Sequence, residues 1–254
     1  MVTRSQPPTV AELGRIASLG SLLGLPTGTL IQRLTPMAAE CGTDLTATIS
    51  HAFDALSVTT RVARDKARSI CGAWLDELPG DALELELDAT SVTARSDEAA
   101  LPPGSPELVH ALGGELAALG FDGSTWTYVL EQPNGDDAAC EATIARLDHV
   151  AEALGVTLAQ RKTAAGLHRS LARSMTSRAS LRARAGVVQP RLAVAWDRVE
   201  WRPLQSMLAG FYPAQGAIGQ IARIARTCEV DHATVELVLG PTDPPAMRIS
   251  MRLT

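Results

Sequence analysis

The sequence predicts an α+β fold in which a helical N-terminal region precedes an antiparallel sheet covered by helices. Three observations predict it. Up to Leu78 apolar residues recur at helical spacing, and Pro79 and Gly80 then end the pattern. From Ala82 the period drops to two, with Leu83, Leu85 and Leu87 alternating with Glu84, Glu86 and Asp88. At the C-terminus Met247, Ile249, Met251 and Leu253 alternate with Arg248, Ser250 and Arg252. The expected organisation is a helical lobe over residues 1–78 and an α+β domain over 79–254.

Composition narrows the class. A chain of 254 residues is long enough to bury a sizeable core, and with 4% aromatic residues that core is aliphatic. No apolar run is long enough to span a bilayer and the first residues lack the pattern of a signal peptide, so a soluble, cytoplasmic protein with no membrane partner is expected. Cys41, Cys71, Cys140 and Cys228 show no CxxC or Cys/His spacing, which reads as reduced, structural thiols and no metal site. No cofactor is expected. A glycine-rich phosphate loop and a nucleophile motif are both missing from the sequence.

In order, Thr9 caps a helix over 10–23, with Glu12 completing a capping box. The LGLPTGTLIQRL run at 23–34 resembles the second half of the helix-turn-helix in sigma-factor region 4, which implies a recognition helix bearing Arg33. The plainer reading is two helices joined at Pro26. Further helices are expected over 44–56 and on to 78, with Arg61, Arg64, Lys66 and Arg68 on solvated positions. The strand at 82–88 follows, then a loop over 96–106 and a helix over 107–119 ended by Gly120. A strand over 125–131 places Trp126, Tyr128 and Leu130 on one face, and Asp136 or Asp137 caps a helix that runs to Leu154 and closes at Gly155.

The next segment is basic. Arg161, Lys162, Arg169, Arg173, Arg178, Arg182, Arg184 and Arg191 occur with no Asp or Glu between Ala153 and Trp196, in a chain of net charge −5. Its first part reads as a helix over 158–175 whose charges mostly face water. Beyond it Arg182 and Arg184 share one face of a strand. The rest reads as strands over 191–196 and 201–211, a helix over 217–228, and strands over 233–240 and 246–253 around a Pro-rich turn.

The strands thus have an apolar face and a charged one. Either the charged face is open to water with acids and bases paired across strands, or the sheet curls into a barrel and that face lines a cavity. In a cavity, Arg182, Arg184, Arg248 and Arg252 are candidate ligands for an anionic small molecule, because guanidinium forks match phosphate and carboxylate oxygens. Glu84, Glu86 and Asp88 are candidate acid/base groups, since crowded carboxylates shift one another's pKa. Trp126, Tyr128 and Trp196 are candidate walls for an apolar or aromatic substrate.

The strand-strand-helix-strand-strand order over 191–253 resembles one repeat of the helix-coated barrel of soluble aromatic prenyltransferases. The resemblance implies metal-independent transfer of an isoprenyl group from a diphosphate to an aromatic acceptor, with strand basic residues on the diphosphate. Three function classes follow: a prenyltransferase-like enzyme or binding protein for a phosphorylated or diphosphorylated small molecule, a helix-turn-helix regulator that binds nucleic acid, and a non-catalytic interaction protein. In the last, the basic segment meets the acidic surface of a second copy in a homodimer.

Overall fold

The computed structural model describes residues 10–38, 45–49, 55–98, 100–133, 135–171, 175–200 and 232–253 except 243–244, together with 219, 222–224 and 226. Two helices, α1 (Val10–Leu23) and α2 (Gly28–Ala38), lead into β1 (Leu45–Ile49) and β2 (Leu56–Ala63). Helix α3 (Arg64–Cys71) and a short 3-10 turn (Ala73–Glu77) precede β3 (Ala82–Leu87) and β4 (Val92–Ser96). Then come α4 (Glu107–Leu112), β5 (Glu115–Phe121), β6 (Thr125–Gln132), α5 (Asp137–Ala153) and α6 (Leu158–Leu171). The last strands are β7 (Ser177–Arg184), β8 (Val187–Glu200), β9 (His232–Leu239) and β10 (Ala246–Leu253).

The ten strands of the described residues form one closed antiparallel barrel, each paired with its sequence neighbours, and β10 returns to β1. Closure leaves no unpaired sheet edge. Because direction alternates, the β3–β4, β5–β6 and β7–β8 turns, the end of β1 with the start of β2, and the end of β9 with the start of β10 all lie at one rim, here called the hairpin rim. The connections that hold α3, α4 and the α5–α6 pair leave from the opposite, helix rim, and residues 219, 222–224 and 226 of the β8–β9 connection are helical. Of the two arrangements the sequence leaves open, the sheet curled into a helix-coated barrel is the one observed.

Burial separates the two faces of the wall. Leu83, Leu85, Leu87, Leu181, Val194, Trp196, Val235, Leu237, Ile249 and Met251 are buried on the outer face, beneath the helices. That layer is the hydrophobic core, and the charged positions between these residues point inward.

Residues 44–63 correct the expected helical lobe, because two barrel strands lie within them. Thr46, Thr48, Ser57 and Thr59 alternate with buried Leu45, Ala47, Ile49, Leu56 and Val58, and β-branched side chains fit a pleated surface better than a helix. Pairing of Leu45–Ile49 with both β2 and β10 is what closes the barrel. The expected helix over 107–119 ends early, since Gly113 (φ 65°) and Gly114 (φ 91°) adopt conformations closed to other residues. A Cβ at Gly114 would come within 2.2 Å of the Glu131 carbonyl oxygen, so β5 starts there instead. Strand β4 occupies residues 92–96, to which the sequence reading assigns no element before the loop at 96–106, and the expected strand over 201–211 lies outside the described residues. Asp136 caps α5 as expected, its carboxylate accepting from the Ala139 amide.

The N-terminal helices reach the hairpin rim. Arg33 of α2 donates to the carbonyls of Asp88 and Ser91 at 2.8 and 3.0 Å, so the cation read on a recognition helix braces the β3–β4 turn. Arg161 pairs with Asp148 and Glu152, and Arg169 with Glu141, which ties the start of the basic segment to α5.

Candidate functional site

Inside the barrel, a cavity of about 660 Å³ is bordered by Asp88, Thr90 and Ser91 of the β3–β4 turn, Asp122 and Ser124 of the β5–β6 turn, and four strand arginines: Arg95, Arg182, Arg191 and Arg248. Toward the helix rim the lumen continues into smaller spaces of about 230 and 210 Å³. Hydroxyls of Thr46, Thr48, Thr59, Thr234 and Ser250 border the first of these, and Arg61, Asp97 and Ala117 the second.

The lumen's charges are closely matched. Arg95 of β4 reaches two carboxylates of the neighbouring strand, Glu84 at 3.2 Å and Glu86 at 2.5 Å. Arg248 and Glu236, paired across β10 and β9, sit 3.5 Å apart. Arg178 holds Asp197 at 2.6 Å, whose carboxylate also accepts from the Thr234 hydroxyl at 2.9 Å. Arg182 holds Asp122 at 2.7 Å, and Arg61 holds Asp97 at 2.9 Å. Gly120 faces Arg95 across the β4–β5 pair, where a Cβ would lie 3.2 Å from the arginine Cγ.

These contacts set the titration of the group. Desolvation pushes the Glu86 carboxyl up, but the Arg95 and Arg248 guanidiniums and the Ser57 hydroxyl outweigh it and hold it below its ordinary value of 4.5. Asp88 and Asp122 are likewise held low against desolvation, chiefly by the hydroxyls and amides of their own turns. Desolvation works against the charge on Arg95, yet Glu86, Glu84 and Glu236 together raise its pKa.

Of the sequence-predicted residues, Glu84, Glu86, Asp88, Arg182 and Arg248 all border the lumen. Asp88 sits at the rim with its carboxylate engaged by Thr90 and Ser91, the chemistry of a turn. Arg184 lies two residues closer to the hairpin rim than Arg182 and is exposed, while Arg252 stands opposite Thr46 near the other rim. Neither borders the main cavity. The aromatic wall is a correction: Trp126, Tyr128 and Trp196 sit on outward positions of β6 and β8, alternating with inward Thr127, Val129 and Ala195. Trp126 stacks on Phe121, and the Trp196 indole N–H points to His168 of α6 at 3.4 Å. For Trp196 strand parity with Arg191 carries that signal in the sequence; for Trp126 and Tyr128 it comes from the pairing of β6 with β7.

Sequence reasoning missed Arg95, Arg178, Arg191, Asp122, Asp197 and Glu236. Arg95 escaped because β4 was not read as a strand. Glu236 had a signal, the alternation of Thr234, Glu236 and Val238 with Ala233, Val235 and Leu237. Among the described residues no cluster of His, Cys, Asp and Glu could hold a metal ion, and no helix is long and apolar enough to cross a membrane.

No family model and no curated protein matches the chain by sequence. Solved structures do match by shape. Over 97% of this chain and 95% of the other, it superposes with a TM-score of 0.70 and 13% identity on 5-dimethylallyl tryptophan synthase from Streptomyces coelicolor in complex with DMASPP and Trp. The apo form of the prenyltransferase PriB matches with a TM-score of 0.61 and 11% identity over 94% of each chain. At such identities the likeness concerns the backbone: this chain has the closed, helix-coated barrel fold of those prenyltransferases.

Proposed function

We propose that the lumen binds an anionic, diphosphate-bearing small molecule and that the chain is a metal-independent, aromatic-prenyltransferase-like transferase. The observation that carries the reading is the convergence of Arg95, Arg182, Arg191 and Arg248, from four strands, on one cavity. Two of the similar structures support it by their ligands: the synthase was solved in complex with DMASPP and Trp, and PriB in a ternary complex with L-tryptophan and dimethylallyl thiolodiphosphate.

In such a transfer the C–O bond to the diphosphate breaks and the electron pair leaves with it. Guanidiniums already fixed in place stabilise that developing charge without reorganising, which is where electrostatic catalysis is strongest. The allylic carbon bonds to the acceptor, which then releases a proton. Glu84 lies on the wall where such a proton can be taken up.

Dimethylallyl diphosphate with a panel of aromatic acceptors, in the presence of a chelator, tests the reading by mass spectrometry and pyrophosphate release. A prenylated product whose formation survives chelation and is lost in Arg182→Ala is expected. No product, together with no thermal stabilisation by pyrophosphate or any isoprenyl diphosphate, would overturn it.

A further inference from the structure

We propose that Glu86 and Glu236 are built-in counter-anions that set the anion selectivity of the lumen: they occupy Arg95 and Arg248 until a polyanion takes their place, and so exclude singly charged anions. The inference rests on the reading of the lumen as an anion site.

The geometry is a group of four charges. Glu86 and Arg95 come from β3 and β4, Glu236 and Arg248 from β9 and β10, and all four border both the 660 Å³ cavity and the 230 Å³ space behind it. Each glutamate also feels the other pair, since Arg248 acts on Glu86 and Glu236 acts on Arg95. The group therefore stands where the two spaces meet, and a ligand reaching past the rim meets arginines that are already paired. Arg95 keeps one buried donor, Nε, without a hydrogen-bond partner.

Exchange is then a competition. A free monoanion offers an arginine one negative charge, which the tethered glutamate already supplies at a high effective concentration. A diphosphate offers several charges and enough oxygens to bridge Arg95 and Arg248 together, which neither glutamate does. Selectivity arises from what the site makes the wrong ligand displace. The two glutamates suit this role better than Asp122 does, because the Asp122 carboxylate is bound by the Ser124 and Thr125 amides of its own turn. Glu86 is held, apart from arginine, by the Ser57 hydroxyl at 3.0 Å.

Displacement has a proton signature. Glu86 faces Ser57 on β2, Glu84 on its own strand, Asp88 in the β3–β4 turn, Arg95 on β4, Glu236 on β9 and Arg248 on β10. With both arginines turned to a polyanion, desolvation and the neighbouring negative charge are opposed only by the Ser57 hydroxyl, and the carboxylate takes a proton from solvent.

Calorimetric titration of the purified chain with pyrophosphate and with inorganic phosphate at pH 6, where inorganic phosphate is mainly a monoanion, decides the matter, using the wild type, Glu86→Gln and Glu236→Gln. The wild type should prefer pyrophosphate strongly, and each variant should bind inorganic phosphate about tenfold more tightly, narrowing the ratio. The wild-type heat at pH 6 should also vary with the buffer's ionisation enthalpy, showing proton uptake that Glu86→Gln reduces. Folded variants with unchanged or weaker phosphate binding would overturn the proposal, as would pyrophosphate binding by the wild type without proton uptake. The second readout needs no variant, so misfolding of a substitution leaves the question decidable. Failure of wild type and variants alike to bind pyrophosphate would instead overturn the reading of the lumen as an anion site, and this proposal with it.

Discussion

On β7 the outward positions are Ser177, Ala179, Leu181 and Ala183, all buried, and the inward ones include Arg178, Ser180 and Arg182. On β10 the same alternation sets Met247, Ile249 and Met251 against Arg248 and Ser250. The outer face packs against helices and holds the fold together by apolar burial. The inner face does little of that, because its charges give up hydration to pair with one another. The described aromatic side chains Trp74, Phe121, Trp126, Tyr128 and Trp196 all belong to the outer side. Stability and ligand chemistry are thus separated by a single residue of strand register, and substitutions on the two faces should behave differently.

The largest effect is expected outside. Trp196 has 0% exposure and fills the space between β8 and α6. Trp196→Ala should cost about 3–5 kcal/mol in urea denaturation, from lost burial plus the cavity left behind, and its damage should be general rather than confined to anion binding. A cost below that of an ordinary surface substitution would mean that the outer layer is not the core.

A lumen substitution comes next. Arg95→Met strands Glu84 and Glu86 beside each other, with Glu86 only 20% exposed, and should cost about 1–3 kcal/mol. Adding Glu86→Gln to Arg95→Met should recover part of that loss, because neutralising the orphaned carboxylate removes the penalty. A double-mutant cycle measures the coupling. If the two changes simply add, the inner charges are independent and the contrast between the faces is weaker than drawn.

Much of this separation was legible in the sequence where period-two alternation was clean. Leu83 to Asp88 and Met247 to Leu253 announced both faces, and of the four candidate anion ligands Arg182, Arg184, Arg248 and Arg252, the first and third border the main cavity. What failed had physical reasons. The Thr-rich stretches Leu45–Ile49 and Leu56–Ala63 are short, lack charge contrast and are settled by pairing with β10 and β3, a contact no local pattern reveals. Val92–Ser96 is five residues long and carries its key cation, Arg95, beside a run of turn-forming residues. Trp126, Tyr128 and Trp196 were assigned by chemical type; parity sets Trp196 opposite Arg191 on its own strand, whereas Trp126 and Tyr128 are placed only by pairing with β7, where Thr127 stands beside Arg182.

Acid should distinguish the faces as well. On the outer side, burial holds the His168 imidazole below its ordinary 6.5, with Arg146 adding to the effect and Glu141 opposing it. Below pH 6.5 the unfolded chain therefore binds a proton first, so stability should fall from there down to the lower folded value and then level. Inside, Glu86 is held below 4.5, so its contribution is complete above that value and is lost as pH falls through its folded one. Two acid limbs are expected in the midpoint of thermal unfolding. His168→Gln should remove the upper limb and leave the lower, while Glu86→Gln should reduce the lower and spare the upper.

The smallest effect sharpens the comparison within the lumen itself. Arg61 and Asp97 pair at the helix rim with 57% and 48% of their side chains exposed, against 29% and 20% for Arg95 and Glu86. Water screens the outer pair and side-chain entropy opposes it, so Arg61→Gln should change stability by less than about 1 kcal/mol. Its loss should also leave pyrophosphate binding intact, because Arg61 borders the 210 Å³ space rather than the main cavity. An Arg61→Gln cost as large as that of Arg95→Met would mean that depth within the lumen does not govern the strength of its ion pairs. The charged face would then act as one cooperative network from rim to rim, and the selectivity assigned to Glu86 and Glu236 would have to be shared among all its members.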